Sequence, residues 1–572
     1  MLKSKLLFIF VLFSALSIAQ KVEKENLSKQ KQTYWDVNKS RVQSRGKYYK
    51  DNYGETTEKH GKWTYYDKFG KTEEVRNYYR DMLHGSTVKY FPNGAIQEEG
   101  YFKLNLQDSI YNEWYETGKT KVAGYYTKGE PSNFWKYYYR DGRVKSVVEI
   151  KSTENFIWEY YLPDSLHTQT IVGGNGEMTS FYTTGKVKEW YNYKEGRKHG
   201  EFEEISIYGY STLNGFFKNG EKDGEWNYFY YTGDKEKISH YENGQLNGAY
   251  NYFYDTGKLN VEGEYKNGKK IGEWTWYTNK GDRDINGSFI EDKQDGLWTY
   301  WHPTGELSYY ANFIDGLRSG EWTYFYKEGT MFKKGTFKND LKNGEWKTWY
   351  EDETLLMEGT YLDGKEEGEW NNYWENSKLK NQATFKKGQL KGDWLSFYPN
   401  GKQKIIGEYD NDMKVGEWQE FFDNGRSKDL ITYKLFKKKS KMDYSIMKDH
   451  VVLESRKEGE AISYSSKDFK KTEEGKYKND KKHGEWIAYY PGGKMPAVVT
   501  NYKMGQLHGA LKQYGRRGKL QSEIQYKDGL KHGSFKIYDK RGKVVNEKTF
   551  KHGMQVIEGQ ENGPGSFSPG GQ

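Results

Sequence analysis

The chain is 572 residues long and carries 90 Lys and Arg against 81 Asp and Glu, a formal net charge of +9, with no cysteine. So small an excess argues against a nucleic-acid partner, which calls for Lys and Arg gathered on one face, and the lack of cysteine excludes disulfide staples and thiolate chemistry. Hydrophobic residues make up only 34% but aromatics reach 17%, with 53 Tyr, 28 Phe and 19 Trp beside 64 Gly and 9 Pro. That many rings exclude a disordered chain and favour short strands and tight turns over helices.

At the N-terminus, Lys3 and Lys5 precede an apolar run from Leu6 to Ile18 that ends in Ser17-Ile18-Ala19 before Gln20. This pattern reads as a signal peptide over residues 1–19, cleaved on export, because the run is short for a bilayer span and charged sequence follows at once. Residues 20–44 are polar and read as a linker. The main array covers residues 45–426. It opens with Gly61-Lys62-Trp63, followed by Gly85, Ser109 and Asn133 in the same slot, and it is irregular over 147–176, where Trp158 lies 23 residues after Trp135.

From Gly200 onward one phrase recurs, as in Gly224-Glu225-Trp226 and Gly320-Glu321-Trp322, and glycines stand every 24 residues from 200 to 416. A fixed period of this length marks a repeat architecture in which each unit packs on the next. The unit beginning at Gly248 reads as strand, turn, strand, turn. With Thr256-Gly257 as a two-residue tip, Tyr254 faces Leu259, Tyr252 faces Val261 and Tyr250 faces Gly263. Small residues recur opposite the Trp slot, at Gly287, Ala311, Gly335, Gly359, Ala383 and Gly407, so each ring is expected to cover the small residue it faces, Trp322 over Gly335.

Strand alternation separates two aromatic rows. The expected core row is Trp226, Trp274, Trp298, Trp322, Trp346, Trp370, Trp394 and Trp418, with Tyr230, Tyr326, Tyr350 and Phe422, four residues after Trp226, Trp322, Trp346 and Trp418, on the same face. A second row, three residues after the Trp slot, lies on the other face: Phe229, Tyr277, Trp301, Phe325, Trp349, Tyr373, Phe397 and Phe421. It is the candidate partner-binding row, since exposed rings can stack on sugars or dock an extended partner. Residues 427–458, with the basic run Lys437-Lys438-Lys439 and Lys441, read as an insertion or joint. The run is a candidate membrane-surface or anionic-polymer patch, or else part of a solvated loop or an irregular hairpin. A second repeat block covers 459–552, and 553–572 is a Gly/Pro/Ser-rich tail.

The unit Tyr265-x-Asn-Gly268-x-x-x-Gly272-Glu-Trp274-x-x-Tyr277 resembles the MORN repeat, and more closely the bacterial variant of the YwqK-type antitoxin family, over most of residues 45–552. The resemblance implies a hairpin array serving as a scaffold, a membrane-associated platform or a partner-binding surface. The family name implies an immunity or antitoxin role.

Candidate chemistry is sparse. Seven histidines, His60, His84, His199, His483, His508, His532 and His552, precede a glycine at one turn of the unit, and units two strands apart are too distant for shared zinc ligation. The glutamates at 201, 225, 273, 321, 345, 369, 417 and 485 repeat in the same way, so no single pair stands out as catalytic. Nucleophile elbows, phosphate loops and a cysteine nucleophile are missing from the sequence. Asp164, His167 and His450 are unique residues of the irregular parts. The fold expected is all-β, an elongated antiparallel β-meander of tandem 24-residue hairpins, with no catalytic residue, metal or cofactor. The function expected is an exported non-catalytic scaffold or protein-binding platform in the bacterial cell envelope, periplasmic, outer-membrane-associated or extracellular. Its partner is another envelope protein or a glycan. An antitoxin-type protein and a carbohydrate-binding envelope protein are the alternatives.

Overall fold

The structure, a computed structural model, describes residues 27–439 and 451–557. The signal peptide 1–19, residues 20–26, Lys441, His450 and the tail from 558 onward lie outside the described residues. Those described form 44 strands and no helix, paired antiparallel in chain order. The all-β meander of tandem hairpins is therefore the observed architecture. The chain divides into two compact units between Lys269 and Lys270.

In the second unit the strands Met331–Lys338 and Leu341–Trp349 show how 24 residues are used. Asn339 and Asp340 join them with φ of 49° and 67°, the paired positive values of a tight hairpin turn whose twist matches the strands. The next turn is wider. Tyr350 N–H donates to Thr354 O at 2.8 Å and Glu353 N–H to Tyr350 O at 3.1 Å, with Glu353 at φ 66°. That is a type I turn followed by a left-handed residue and a bulge.

The same geometry in the first unit corrects the expected tip. Tyr254 N–H donates to Lys258 O at 2.8 Å and Gly257 N–H to Tyr254 O at 2.9 Å. Tyr250 pairs with Gly263 and Tyr252 with Val261 as expected, but the bulge makes Phe253, not Tyr254, the partner of Leu259. A second bulge explains the glycine of the repeated phrase. Gly344 lies inside its strand, where the pairing jumps from Phe337–Lys342 to Gly335–Trp346, and its φ of 82° suits glycine.

The Trp slot pairs as expected, Trp322 with Gly335 and Trp346 with Gly359. The covering ring, however, comes from the other side. A Cβ built on Gly335 would lie 2.1 Å from Cδ2 of Trp346, and one on Gly359 would lie 2.1 Å from Cδ2 of Trp370. Each indole thus leans back over the glycine of the preceding strand, as Trp298 does over Gly287 and Trp418 over Gly407. In three units the indole N–H adds a bond on that side: Trp298 donates to Ser288 O at 3.1 Å, Trp322 to Asn312 O at 3.0 Å and Trp346 to Thr336 O at 3.1 Å, all on the preceding strand. Trp370 and Trp418 lean the same way without such a bond. A ring of that size calls for a small residue on the strand beneath it.

Neighbouring rings then meet edge to face, the arrangement aromatic quadrupoles favour. In the second unit Phe337 and Trp346 lie 5.2 Å apart at 90°, Trp346 and Tyr361 6.0 Å at 83°, and Tyr361 and Trp370 4.9 Å at 83°. Trp298, Ala311, Phe313, Trp322, Phe337 and Trp346 form its largest buried cluster.

The irregular stretches keep the ladder by other means. Residues 27–44, read as a linker, hold the strand Lys31–Tyr34, which pairs with Val42–Asp51, and Leu27 bridges Tyr49. Within 147–176 the hairpin Gln169–Val172 and Asn175–Phe181 is short. Ile157 N–H reaches across to Gly196 O at 2.8 Å, and Gly196 N–H to Gly174 O at 2.9 Å. Residues 427–458 lie largely within a lengthened hairpin, Ser427–Lys439 with Val451–Tyr464. Its base keeps the frame, since Ile431 pairs with both Trp418 and Ala461, and Ala461 with Gly475.

Candidate binding faces of the array

Of the expected core row, Trp226, Trp274, Trp298, Trp322, Trp346, Trp370 and Trp418 are buried and Trp394 is half-buried. Their face carries a feature that sequence reading passed over. A lysine four residues before the Trp pairs with the aromatic of the preceding strand and sets its ammonium on the rings: Lys222 over Trp226 at 4.1 Å, Lys342 over Trp346 at 4.7 Å, Lys414 over Trp418 at 4.0 Å and Lys482 over Trp486 at 3.9 Å. The signal was present in the spacing of Lys and Trp. Burial pulls the ammonium groups of Lys198, Lys222, Lys333 and Lys414 below the usual lysine range.

The second row, Phe229, Tyr277, Trp301, Phe325, Trp349, Tyr373, Phe397 and Phe421, is half-buried throughout, each ring ending its strand. Their main chain is tied to the preceding unit. Tyr326 Oη donates to Trp349 O at 2.8 Å, Tyr350 Oη to Tyr373 O at 3.0 Å, Trp374 Nε1 to Phe397 O at 3.2 Å and Tyr398 Oη to Phe421 O at 2.9 Å. On the side chains, Phe325 meets Tyr310 edge to face at 5.6 Å and Tyr373 Oη donates to Glu358 at 2.7 Å. These rings thus form a stepped, partly open surface. Beside them stand the carboxylates of the repeated phrase, Glu321 with Lys334 at 2.9 Å and Glu345 with Lys347 at 3.8 Å, both glutamates more than half exposed.

The histidine slot holds the turns together. His60 Nδ1 accepts from Arg80 N–H, His199 from Asn219, His483 from Met504 and His508 from Asp528, each at 3.4 Å. Asn247 and Glu367 occupy the same slot and accept from Asn267 and Lys387 at 3.1 and 2.8 Å. His552 does not share it. It lies in the two-residue turn with φ 50° and donates its own N–H to His532 Nδ1 at 3.4 Å, so six of the seven are equivalent. Asp164 and His167 are also locally engaged. Asp164 accepts from Thr168 N–H at 2.9 Å, and the His167 ring stacks on Tyr161 at 4.6 Å. Among the described residues no group of three or more His, Asp or Glu could hold a metal ion.

Ten segments match the model of the MORN repeat variant: 83–104, 175–195, 246–267, 294–315, 318–339, 342–363, 366–387, 390–411, 507–528 and 531–552. These segments, together less than half of the chain, are MORN-repeat variants. Segments 318–339, 342–363 and 366–387 each hold a complete Gly-Glu-Trp phrase, and every matched segment begins at the start of a strand or one residue inside it. No curated protein matches the array. Among solved structures it is similar to the crystal structure of TcdB2-TccC3, at 11% identity and TM-score 0.13, covering 90% of this chain and 33% of that one. It is similar also to TcdB2-TccC3-Cdc42, at 11% identity and TM-score 0.13, covering 92% and 31%. The Photorhabdus luminescens Tc holotoxin pore matches at 11% and TM-score 0.13, covering 85% and 27%. The array spans about a third or less of those chains, and at such scores nothing of their assembly transfers to it.

Proposed function

We propose that this MORN array is an exported, non-catalytic binding platform of the bacterial cell envelope, and that its partner-facing surface is the side bearing Phe325, Trp349 and Tyr373. The observation behind this reading is the regular presentation of a half-buried ring at the strand end with an exposed carboxylate four residues before it on the same face, as in Phe325 with Glu321 and Trp349 with Glu345. One ring and one charge bind weakly, but the same pair repeated along an array engages an extended protein partner many times, and repetition raises avidity steeply without any new contact type. His60, His199, His483, His508 and His532 serve as turn staples, which favours binding over catalysis.

The test is crosslinking in cells followed by recovery from fractionated envelope, comparing the natural chain with Phe325→Ser and Trp349→Ser together. The expected result is an envelope-located chain that retains one crosslinked protein, which the double variant loses. A cytoplasmic pool with residues 1–19 still attached, or a partner held equally by the variant, would overturn the proposal. Rescue of growth against a neighbouring toxin would instead favour the antitoxin reading, and retardation in polysaccharide affinity gels the glycan reading.

A further inference from the structure

Lys333 and Lys342 differ from the lysines of the other face, and from Lys482 on their own face, which pairs with Glu473. On the side bearing Phe325, Lys334 pairs with Glu321, Lys347 with Glu345 and Glu358 at 3.8 and 3.5 Å, and Lys536 with Glu547 at 3.2 Å. On the Trp face of the second unit, Lys333 and Lys342 have no carboxylate within ion-pair distance among the described residues, although both are half-buried. They meet at one ring. Lys333 Nζ lies 5.2 Å from the Trp346 ring centre and Lys342 Nζ 4.7 Å from it.

The register places them on two sides of that indole. Trp346 stands opposite Gly335, Lys333 is two residues before Gly335 and pairs with Thr348, and Lys342 pairs with Phe337, two residues beyond Gly335. A third cation stands next to them, Arg318, over Phe337 at 4.5 Å, but Asp340 holds it at 3.0 Å. Lys342 has one neutral partner, the Tyr361 hydroxyl at 3.4 Å. Two like charges are thus held close to one another on a desolvated aromatic floor. Burial and then the charge of Lys342 lower the Lys333 ammonium below its usual range, as expected of a cation short of a counter-ion.

We infer that Lys333 and Lys342, flanking Trp346, form a binding site for an acidic peptide segment of another protein that carries two carboxylates at alternate positions. Alternate side chains of an extended peptide fall about 7 Å apart on one face, a spacing that lets each carboxylate reach one ammonium while the peptide crosses the lysine stems that cover the buried indole. This site lies on the face opposite to the proposed platform, so it stands or falls separately from that reading.

The test uses the full chain and a fluorescein-labelled peptide of alternating Glu and Ser, followed by anisotropy at low and at physiological salt. Replacing Lys333→Met and Lys342→Met together keeps apolar stems over Trp346 and removes both charges. The expected result is saturable binding of the peptide, weakened about tenfold or more in the double variant and strongly by salt. Lys334→Met, on the other face, should bind as the natural chain does, and matching thermal melts keep loss of fold apart from loss of binding. Absence of peptide binding by the natural chain at millimolar concentration, or equal binding by the double variant, would overturn the site. So would stronger competition by inorganic phosphate or by a polygalacturonate than by unlabelled peptide.

Discussion

Replacing Gly335 with alanine should reverse the ordinary sign of that substitution. In a strand the change normally gains about 0.5–1 kcal/mol by reducing the freedom of the unfolded chain. Gly335 is not held in the left-handed region, so backbone strain gives no reason for glycine there. Space does. The added carbon would lie 2.1 Å from Cδ2 and 2.3 Å from Cε2 of Trp346, whereas carbon atoms in contact settle at about 3.5–4.0 Å. The indole must move by more than an ångström. It would give up the hydrogen bond to Thr336 O, worth about 0.5–1.5 kcal/mol, and the edge contacts with Phe337 and Tyr361, worth about 0.5–1.5 kcal/mol each. A net loss of about 2–4 kcal/mol follows. Because a repeat array opens locally, the measurement is amide hydrogen exchange over residues 331–362 in a double-mutant cycle. Trp346→Ala alone should cost about 3–5 kcal/mol, and in that background Gly335→Ala should cost nothing. Coupling to Trp346 should therefore reach about 2–4 kcal/mol, and coupling to Trp322, the register partner of Gly335 on the other side, should stay below about 0.5 kcal/mol. A neutral or stabilising Gly335→Ala, or coupling to Trp322 in place of Trp346, would refute the packing described.

Tyr350→Phe removes the tie to Tyr373 O. It should cost about 0.5–1.5 kcal/mol and raise exchange at the turns around Tyr350 and Tyr373, with no effect in the first unit. His60 is buried and stands beside Arg80, and both hold its pKa below the usual 6.5, while Glu58 opposes them and the Tyr49 and Tyr79 rings pack against it. The unfolded chain therefore binds the proton more readily, and stability present above the usual imidazole pKa is lost as pH falls below it. Melts of the first unit should show that loss between neutral and mildly acidic pH, and His60→Asn should blunt it, since Asn247 fills the same slot as an acceptor. Replacing residues 435–455 by Asn-Gly restores the regular turn after Lys434. Circular dichroism should keep its strand signature, with stability changed by less than about 1 kcal/mol. A collapsed melt would show that the long hairpin carries part of the core.

The period alone was enough to place Tyr250 opposite Gly263 and Trp322 opposite Gly335, because side chains alternate in strands and the small residues recur in step with the Trp. What it could not reveal was which of two flanking rings covers Gly335. Every interior strand has two neighbours, both 24-residue copies, and the choice lies in the direction in which the indole leans across the strands, which spacing does not disclose. The bulges at Tyr254 and Gly344 were hidden for a related reason, as a turn of five residues and one of two are equally compatible with Asp, Thr and Gly in sequence. His552 was grouped with its six neighbours because His-Gly looks alike in both turns. The lysine four residues before Trp226, Trp274, Trp346, Trp418 and Trp486 was legible, but its role depends on a pairing across strands that spacing within one strand does not disclose.

The tyrosine ties have a bearing on how the array can change in length. Each donor reaches a carbonyl 23 residues ahead, from Tyr326 to Trp349, from Tyr350 to Tyr373 and from Trp374 to Phe397, so the acceptor is always main chain although the donor varies. Duplicating or deleting 24 residues among these units therefore re-forms each tie on an equivalent carbonyl, whereas gaining 23 or 25 breaks the ladder at one place. Growth in whole units carries no structural penalty, so lineages can tune the reach of such a protein by unequal recombination while leaving its chemistry untouched.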